Sequence, residues 1–219
     1  MLVAIDTATR MASLALHDGF RVRVEETWEA PRRQTRELAP RLAAALAQLK
    51  IPPERLSGVA VVKGPGSFTG LRIGVSVAKG LAVAQNLPIV GIPTLDVVAA
   101  AQGRDRRLLG AVLQAGRGRI SIAFYRWRFG GWQVEEEPRL TTWDQLAGEI
   151  AEPTLFCGEI DETGAEAMSR LGEQAVLLPA ARRLRRAGFL AELGWQRLNR
   201  GDADDPAELT PIYLTRPVS

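Results

Sequence analysis

The sequence is short of the residues from which most active sites are built. It has one cysteine, Cys157, and one histidine, His17. A lone cysteine forms no internal disulfide, and one of each cannot supply the cluster of ligands that a structural or catalytic zinc takes. A Ser-His-Asp triad would have to recruit His17, which lies in an alternating, strand-like stretch far along the chain from Ser67. His17 is therefore read as an ordinary edge residue of a strand, and Cys157 as a small buried one. No apolar run reaches the ~18–20 residues of a membrane-crossing helix. The start Met1-Leu2-Val3-Ala4-Ile5-Asp6 has no basic stretch ahead of a long apolar one, so no signal peptide is expected. Together these absences predict a soluble cytoplasmic protein. Lysine is scarce as well: Lys50, Lys63 and Lys79 are the only three among 28 basic residues, leaving 25 arginines.

What is present is a chain of 219 residues, 46% hydrophobic, with a net charge of +3. That suffices for one large domain or two small ones with a sizeable core. The arginines gather at Arg104–Arg107, Arg117–Arg128 and Arg182–Arg186. Arginine forms forked contacts with phosphates and carboxylates better than lysine does. Such clusters can meet RNA phosphates, or they can be solvated faces balanced by nearby Glu and Asp; the sequence leaves both open.

Patterning gives the order of elements. Leu2–Thr7, Ala12–His17 and Phe20–Thr27 read as strands, with Asp18-Gly19 as a two-residue hairpin turn. A helix from about Arg33 to Leu49 places Leu38, Leu42, Ala45 and Leu46 on one face, and Pro52-Pro53 ends it. Strand Gly58–Val62, helix Phe68–Gln85, a strand near Ile89 and a helix near Leu95–Ala101 close the first half. The second half repeats the order with strands Leu108–Gln114, Ile120–Tyr125 and a short Trp132–Val134. It continues with a helix near Trp143, strand Thr154–Cys157, helix Glu162–Leu171, strand Ala175–Leu177 and one helix Ala181–Arg200. The order β-β-β-α-β-α-β-α, twice, predicts an α/β chain of two lobes, 1–102 and 103–219, each a mixed sheet with flanking helices. The final helix and tail have the option of packing back on the first lobe.

The most informative stretch is Gly64-Pro65-Gly66-Ser67-Phe68-Thr69-Gly70-Leu71-Arg72-Ile73-Gly74, a strand, a glycine turn and a helix. This construction aims backbone N–H groups at an anion. The spacing nevertheless fails three tests. A P-loop wants four residues between its glycines and then Lys-Ser/Thr; here five separate Gly64 from Gly70, and Leu71-Arg72 follows. The dinucleotide fingerprint would need its third glycine one position earlier than Gly70. A nucleophile elbow needs glycines two positions either side of Ser67, where Pro65 and Thr69 stand. Gly70, Gly74 and Ala78 form a small-residue stripe. It serves close packing either on the protein's own sheet or against a helix of another chain, and glycine inside a helix suggests a use because it costs ~0.5–1 kcal/mol relative to alanine.

Three segments resemble the bacterial TsaB (YeaZ) family: Leu2–Thr9, Gly64–Gly74 with Ala78-Lys79-Gly80-Leu81-Ala82, and Leu209–Leu214. The resemblance implies a two-lobed fold of the actin, sugar kinase and Hsp70 type. It also implies a part in forming N6-threonylcarbamoyladenosine beside the anticodon of tRNA. The family member is not the catalyst; it pairs with the metal-bearing paralogue TsaD, and the ATPase TsaE joins them. No cofactor is expected, and tRNA would be met through the complex. A homodimer is expected when the chain is alone. The partner interface would draw on Leu38, Leu42, Leu46, Gly70, Leu71, Arg72, Gly74, Val75 and Ala78, and Asp6, Thr7 and Thr9 would mark a degenerate nucleotide cleft. Two departures stand out. Gln34-Thr35-Arg36 replaces a common His-Ser-Glu, and Gln114-Ala115-Gly116 replaces a common Asp-Ala-Arg, leaving no acidic residue at that strand end. The competing reading is a small ATP-dependent kinase or ATPase of the same fold, using Asp6.

Overall fold

The computed structural model describes residues 1–31 and 33–214. Two units emerge: 1–97 with 186–213, and 98–185 with Leu214. The sequence reading broke the chain at 102/103 and gave the final helix and tail the option of packing back on the first lobe. The break instead falls within a helix, and the chain returns to the first unit at Arg186.

The first unit is built on a five-stranded sheet of β1 (Leu2–Asp6), β2 (Met11–His17), β3 (Val22–Glu29), β4 (Gly58–Gly64) and β5 (Ile89–Pro93), in the order β3-β2-β1-β4-β5. β1 pairs antiparallel with β2 and parallel with β4. Successive side chains of a strand point to opposite faces, and both faces of this sheet are apolar. Val3, Ile5, Leu14, Leu16, Val59 and Val61 meet α1 (Gln34–Gln48) and α2 (Phe68–Gln85). Leu2, Ala4, Ala15, Ala60 and Val90 meet Ala187, Leu190 and Ala191 of α7 (Ala187–Asn199). A central strand covered on both sides reads as an unbroken apolar run, as β1 does.

Four residues, not two, connect β2 to β3. The Asp18 carboxylate accepts from the N–H groups of Phe20 and Arg21, both at 2.9 Å, and this closes the loop. The edge strand β5 is capped by the tail. Asp204 N–H donates to Ile89 O at 2.8 Å, and the Asp204 carboxylate takes the Gly91 N–H at 2.6 Å. Arg197 grips Asp202 with two bonds of 2.7 Å and reaches Gly91 O at 3.1 Å. Unpaired edges invite pairing with other chains; here the chain's own end covers one.

The second unit repeats the plan with β6 (Leu108–Gly116), β7 (Arg119–Arg128), β8 (Gly131–Thr142), β9 (Thr154–Gly158) and β10 (Ala175–Leu177), ordered β10-β9-β6-β7-β8. α4 (Trp143–Glu149) and α5 (Glu162–Ser169) cover Val112, Ile120, Ile122, Phe124 and Phe156. α3 (Thr94–Ala100) and α6 (Ala180–Arg183) complete the α/β count. Two sequence expectations need correction. The third strand extends eight residues past the expected Trp132–Val134, through the acidic Glu135-Glu136-Glu137 run, because an exposed strand face accepts charge. The expected single helix 181–200 is two, α6 and α7, separated by Leu184, Arg185 and Arg186, where the chain passes from one unit to the other.

Candidate functional site

The glycine turn closes on its own chain. Gly64 has φ +115°, a conformation open to glycine, and a Cβ there would run into the Ile212 carbonyl. Ile212 N–H donates to Lys63 O at 2.6 Å, so the tail is seated against the turn. A Cβ at Gly66 would stand 2.5 Å from Ala8 O, and Ser67 N–H donates to that same oxygen at 2.6 Å. Ser67 caps α2: its Oγ accepts from Gly70 N–H at 3.3 Å. Thr7 Oγ1 donates to Gly70 O at 2.7 Å. A Cβ at Gly70 would fall well inside 3.0 Å of the Thr7 carbonyl oxygen, and one at Gly74 well inside 3.0 Å of Thr7 Oγ1. The carbonyl oxygens of Thr7 and Ala8, just past β1, therefore occupy the ground a phosphate would need, and they repel anions. The glycines make room for the segment that follows β1 and for the tail.

The three cleft candidates are locally employed. Asp6 is fully buried and its Oδ1 accepts the Ala8 N–H at 3.0 Å. Thr7 is buried against α2, as above. Thr9 Oγ1 accepts from Met11 N–H at 3.3 Å, and Thr9 O takes a bond from Gln34 Nε2 at 3.2 Å. Gln34 thus uses its buried amide to tie the start of α1 to the connection between β1 and β2.

The expected partner-interface residues are placed differently from what their spacing suggested. Leu38, Leu42, Leu46, Leu71, Val75 and Ala78 are buried in the first unit's own core, with Gly70 and Gly74. An apolar stripe at helical spacing reports which face is buried, and here the sheet buries it. Arg72 alone among them is exposed, and its guanidinium lies 3.8 Å over the Phe68 ring while Nε donates to Tyr213 Oη at 3.3 Å. Most of the exposed positions of the helix pair are other residues: Ala39, Pro40, Ala43, Ala44 and Ala47 on α1, and Ser76, Gly80, Val83 and Ala84 on α2, with the exposed Arg36 and Arg72 one turn ahead of them. Those nine carry no charge, and Val83 is 71% exposed. Small residues look neutral in a sequence, so only exposed alanine at successive turns signals this face.

The scarce residues are also accounted for. His17 is buried, which corrects the edge-residue reading. Its Nε2 lies 3.1 Å from Glu192 and its Nδ1 accepts from Gly19 N–H at 3.0 Å, which puts the ring proton on Nε2 facing the carboxylate. Cys157 is buried, its Sγ 3.7 Å from Gly110 O, and burial pushes the thiol pKa upward. Among the described residues no three His, Cys, Asp or Glu side chains gather into a group that could hold a metal ion. The end of β6 is not without an acid, as the sequence suggested: Glu159 arrives from the end of β9. Its Oε2 accepts the Gln114 N–H at 3.1 Å, and its Oε1 is 3.3 Å from the buried Arg185 guanidinium. That acid is already neutralised.

Comparison with known proteins gives consistent likenesses. A family model described as TsaD, tRNA N6-adenosine threonylcarbamoyltransferase, matches residues 28–135. The chain is 31% identical to the tRNA threonylcarbamoyladenosine biosynthesis protein TsaB of Escherichia coli, over 100% of this chain and 96% of that one. It is 29% identical to the protein of the same name from Bacillus subtilis, over 97% and 93%. The solved structure of YeaZ from Pseudomonas aeruginosa superposes with a TM-score of 0.80 at 25% identity, covering 97% of this chain and 99% of that one.

Proposed function

The chain belongs to the TsaB family of tRNA threonylcarbamoyladenosine biosynthesis proteins, and from that premise we propose that it is a non-catalytic subunit of the transferase machinery. In this reading it pairs with the catalytic paralogue TsaD in the cytoplasm, TsaE joins the assembly, and N6-threonylcarbamoyladenosine forms next to the anticodon of tRNA. Its fold, two mixed sheets with flanking helices, is the two-lobed actin-like one.

The observation that carries the proposal is the outward face of α1 and α2. Nine exposed positions on the two helices hold no charge, with Arg36 and Arg72 at their N-terminal margin, and α2 presents Gly80 with nothing within 4 Å of where a Cβ would stand. Small, uncharged surface lets a second helix pair approach closely, and charged residues are depleted at the core of protein interfaces. The same face would serve a second copy of this chain when the paralogue is absent. A nucleotide-hydrolysing reading draws no support from the glycine turn, where Thr7 and Ala8 carbonyls stand in the place of an anion.

The test is Gly80→Arg. The open space at Gly80 lets the variant fold, so its melting temperature should match wild type while capture of the paralogue is lost. Undiminished capture by a folded Gly80→Arg would remove this face from the interface. Gly74→Arg does not serve, because its side chain would collide with Thr7 inside the core.

A further inference from the structure

In the second unit, one buried residue, through its side chain and its backbone carbonyl, ties together three segments rich in arginine and aromatic residues. Gln102 Nε2 donates to Arg182 O at 2.8 Å, and Trp132 Nε1 donates to Gln102 O at 3.1 Å. Trp132 faces Trp127 across the β7–β8 hairpin, edge-on, with ring centroids 5.5 Å apart. Beyond them the hairpin tip holds Phe129, 99% exposed and at φ +54°. A bulky residue in the left-handed region is strained, and exposing its ring to water adds to the cost. At that exposure the Phe129 ring gains almost no burial within the unit.

The charges around this tip do not balance. Asp105 is taken by Arg107, and Glu135 is shared by Arg126 and Arg128, with Glu152 also on Arg126. Arg104, Arg106 and Arg182 are exposed and have no acidic partner among the described residues. The exposed Glu136 lies opposite Phe124, back along the hairpin, so the excess of positive charge is confined to the tip end.

We propose that this hairpin tip is a contact for single-stranded RNA, with Phe129 stacking on an unpaired base and Arg104, Arg106 and Arg182 meeting the phosphates beside it. Every base offers a π-face, so an exposed ring reads unpaired nucleotides without regard to sequence, while surplus arginines supply the salt-dependent part of binding. The inference rests on the preceding functional reading only in taking the RNA to be tRNA.

The experiment titrates the full-length chain with a tRNA anticodon stem-loop and, separately, with an RNA duplex of equal length, across a salt series. The stem-loop should bind more tightly than the duplex. Phe129→Ala should weaken it about ten-fold. Phe20→Ala, at the equally bare tip of the β2–β3 loop (94% exposed), should change nothing. Arg104→Ala with Arg106→Ala should lower the slope of log affinity against log salt by about 1.4, roughly 0.7 for each phosphate contact on a single strand. Wild-type affinity in both variants, equal binding of the duplex, or equal binding to vesicles of phosphatidylglycerol and phosphatidylcholine would each overturn the proposal. Capture of the paralogue by the same variants is measured in parallel. Captured paralogue with unaltered RNA binding sinks the RNA contact alone, whereas no capture by wild type sinks the functional reading and leaves the RNA result standing on its own.

Discussion

Replacing three glycines of α2 by alanine, one at a time, separates a helix packed on its own sheet from one kept smooth for a partner. Alanine is favoured over glycine inside a helix by ~0.5–1 kcal/mol. At Gly80 a Cβ meets nothing within 4 Å, so that gain should appear undiminished. At Gly74 the new methyl displaces Thr7 Oγ1, which donates to Gly70 O at 2.7 Å. Losing a buried hydrogen bond costs ~1–3 kcal/mol, and after the helix gain the net loss is about 1–2 kcal/mol. At Gly70 the obstacle is the Thr7 backbone carbonyl, which cannot rotate away. Overpacking of ~1–3 kcal/mol adds to the same hydrogen-bond loss, for a net of about 2–4 kcal/mol. The predicted order of urea midpoints is Gly80→Ala, wild type, Gly74→Ala, Gly70→Ala, at a constant slope. Thr7→Ala combined with Gly74→Ala should cost less than the two changes added, since the colliding hydroxyl is gone. A Gly74→Ala protein as stable as wild type would refute the reasoning and return the stripe to the surface.

Other outcomes follow from the same geometry. The Asp18 carboxyl is held down to about 2, first by the Arg21 and then the Phe20 backbone N–H, with Arg23 adding to them. A carboxyl depressed in the folded state stabilises above its ordinary 3.8 and loses that contribution as pH falls towards about 2. The β2–β3 loop should therefore loosen between those values, and a carbon-13 titration of Asp18 with its midpoint near 4 would contradict this. Arg185→Leu should destabilise the second unit by about 2–3 kcal/mol, less than a fully buried pair because Glu159 keeps some water; unchanged stability in urea would count against the pairing. Ser67→Ala removes the cap of α2 and should cost ~1 kcal/mol of stability, read as a lowered urea midpoint.

Much of the fold was legible because its signals are local. The strand-rich first segment, the Pro52-Pro53 stop and the Ser67 cap each act within a few residues. The doubled order of elements followed from them. What escaped depends on contacts distant in sequence. Nothing near α7 says that Ala187, Leu190 and Ala191 complete a sheet more than a hundred residues earlier. Nothing near Gln114 announces that Glu159 will reach it and be met by Arg185. The site was misread for a related reason: periodicity picked out Leu38, Leu42 and Leu46 correctly as an apolar face, yet it is silent on what covers that face. The core took them, and the outward positions were left to alanine and glycine, residues that carry little signal of their own. The failed glycine spacings were the better guide, because they already denied the turn a phosphate.

The central claim is that this chain is needed by a catalyst and is not one itself. Its most direct test is reconstitution: the purified paralogue TsaD, TsaE, ATP, threonylcarbamoyl-adenylate and unmodified tRNA, with and without this protein, followed by measurement of N6-threonylcarbamoyladenosine in the tRNA. The account predicts product when the wild-type chain is added, none from the chain without TsaD, and none when a folded Gly80→Arg protein replaces it. Equal product in the chain's absence, or product from the chain without TsaD, would contradict it.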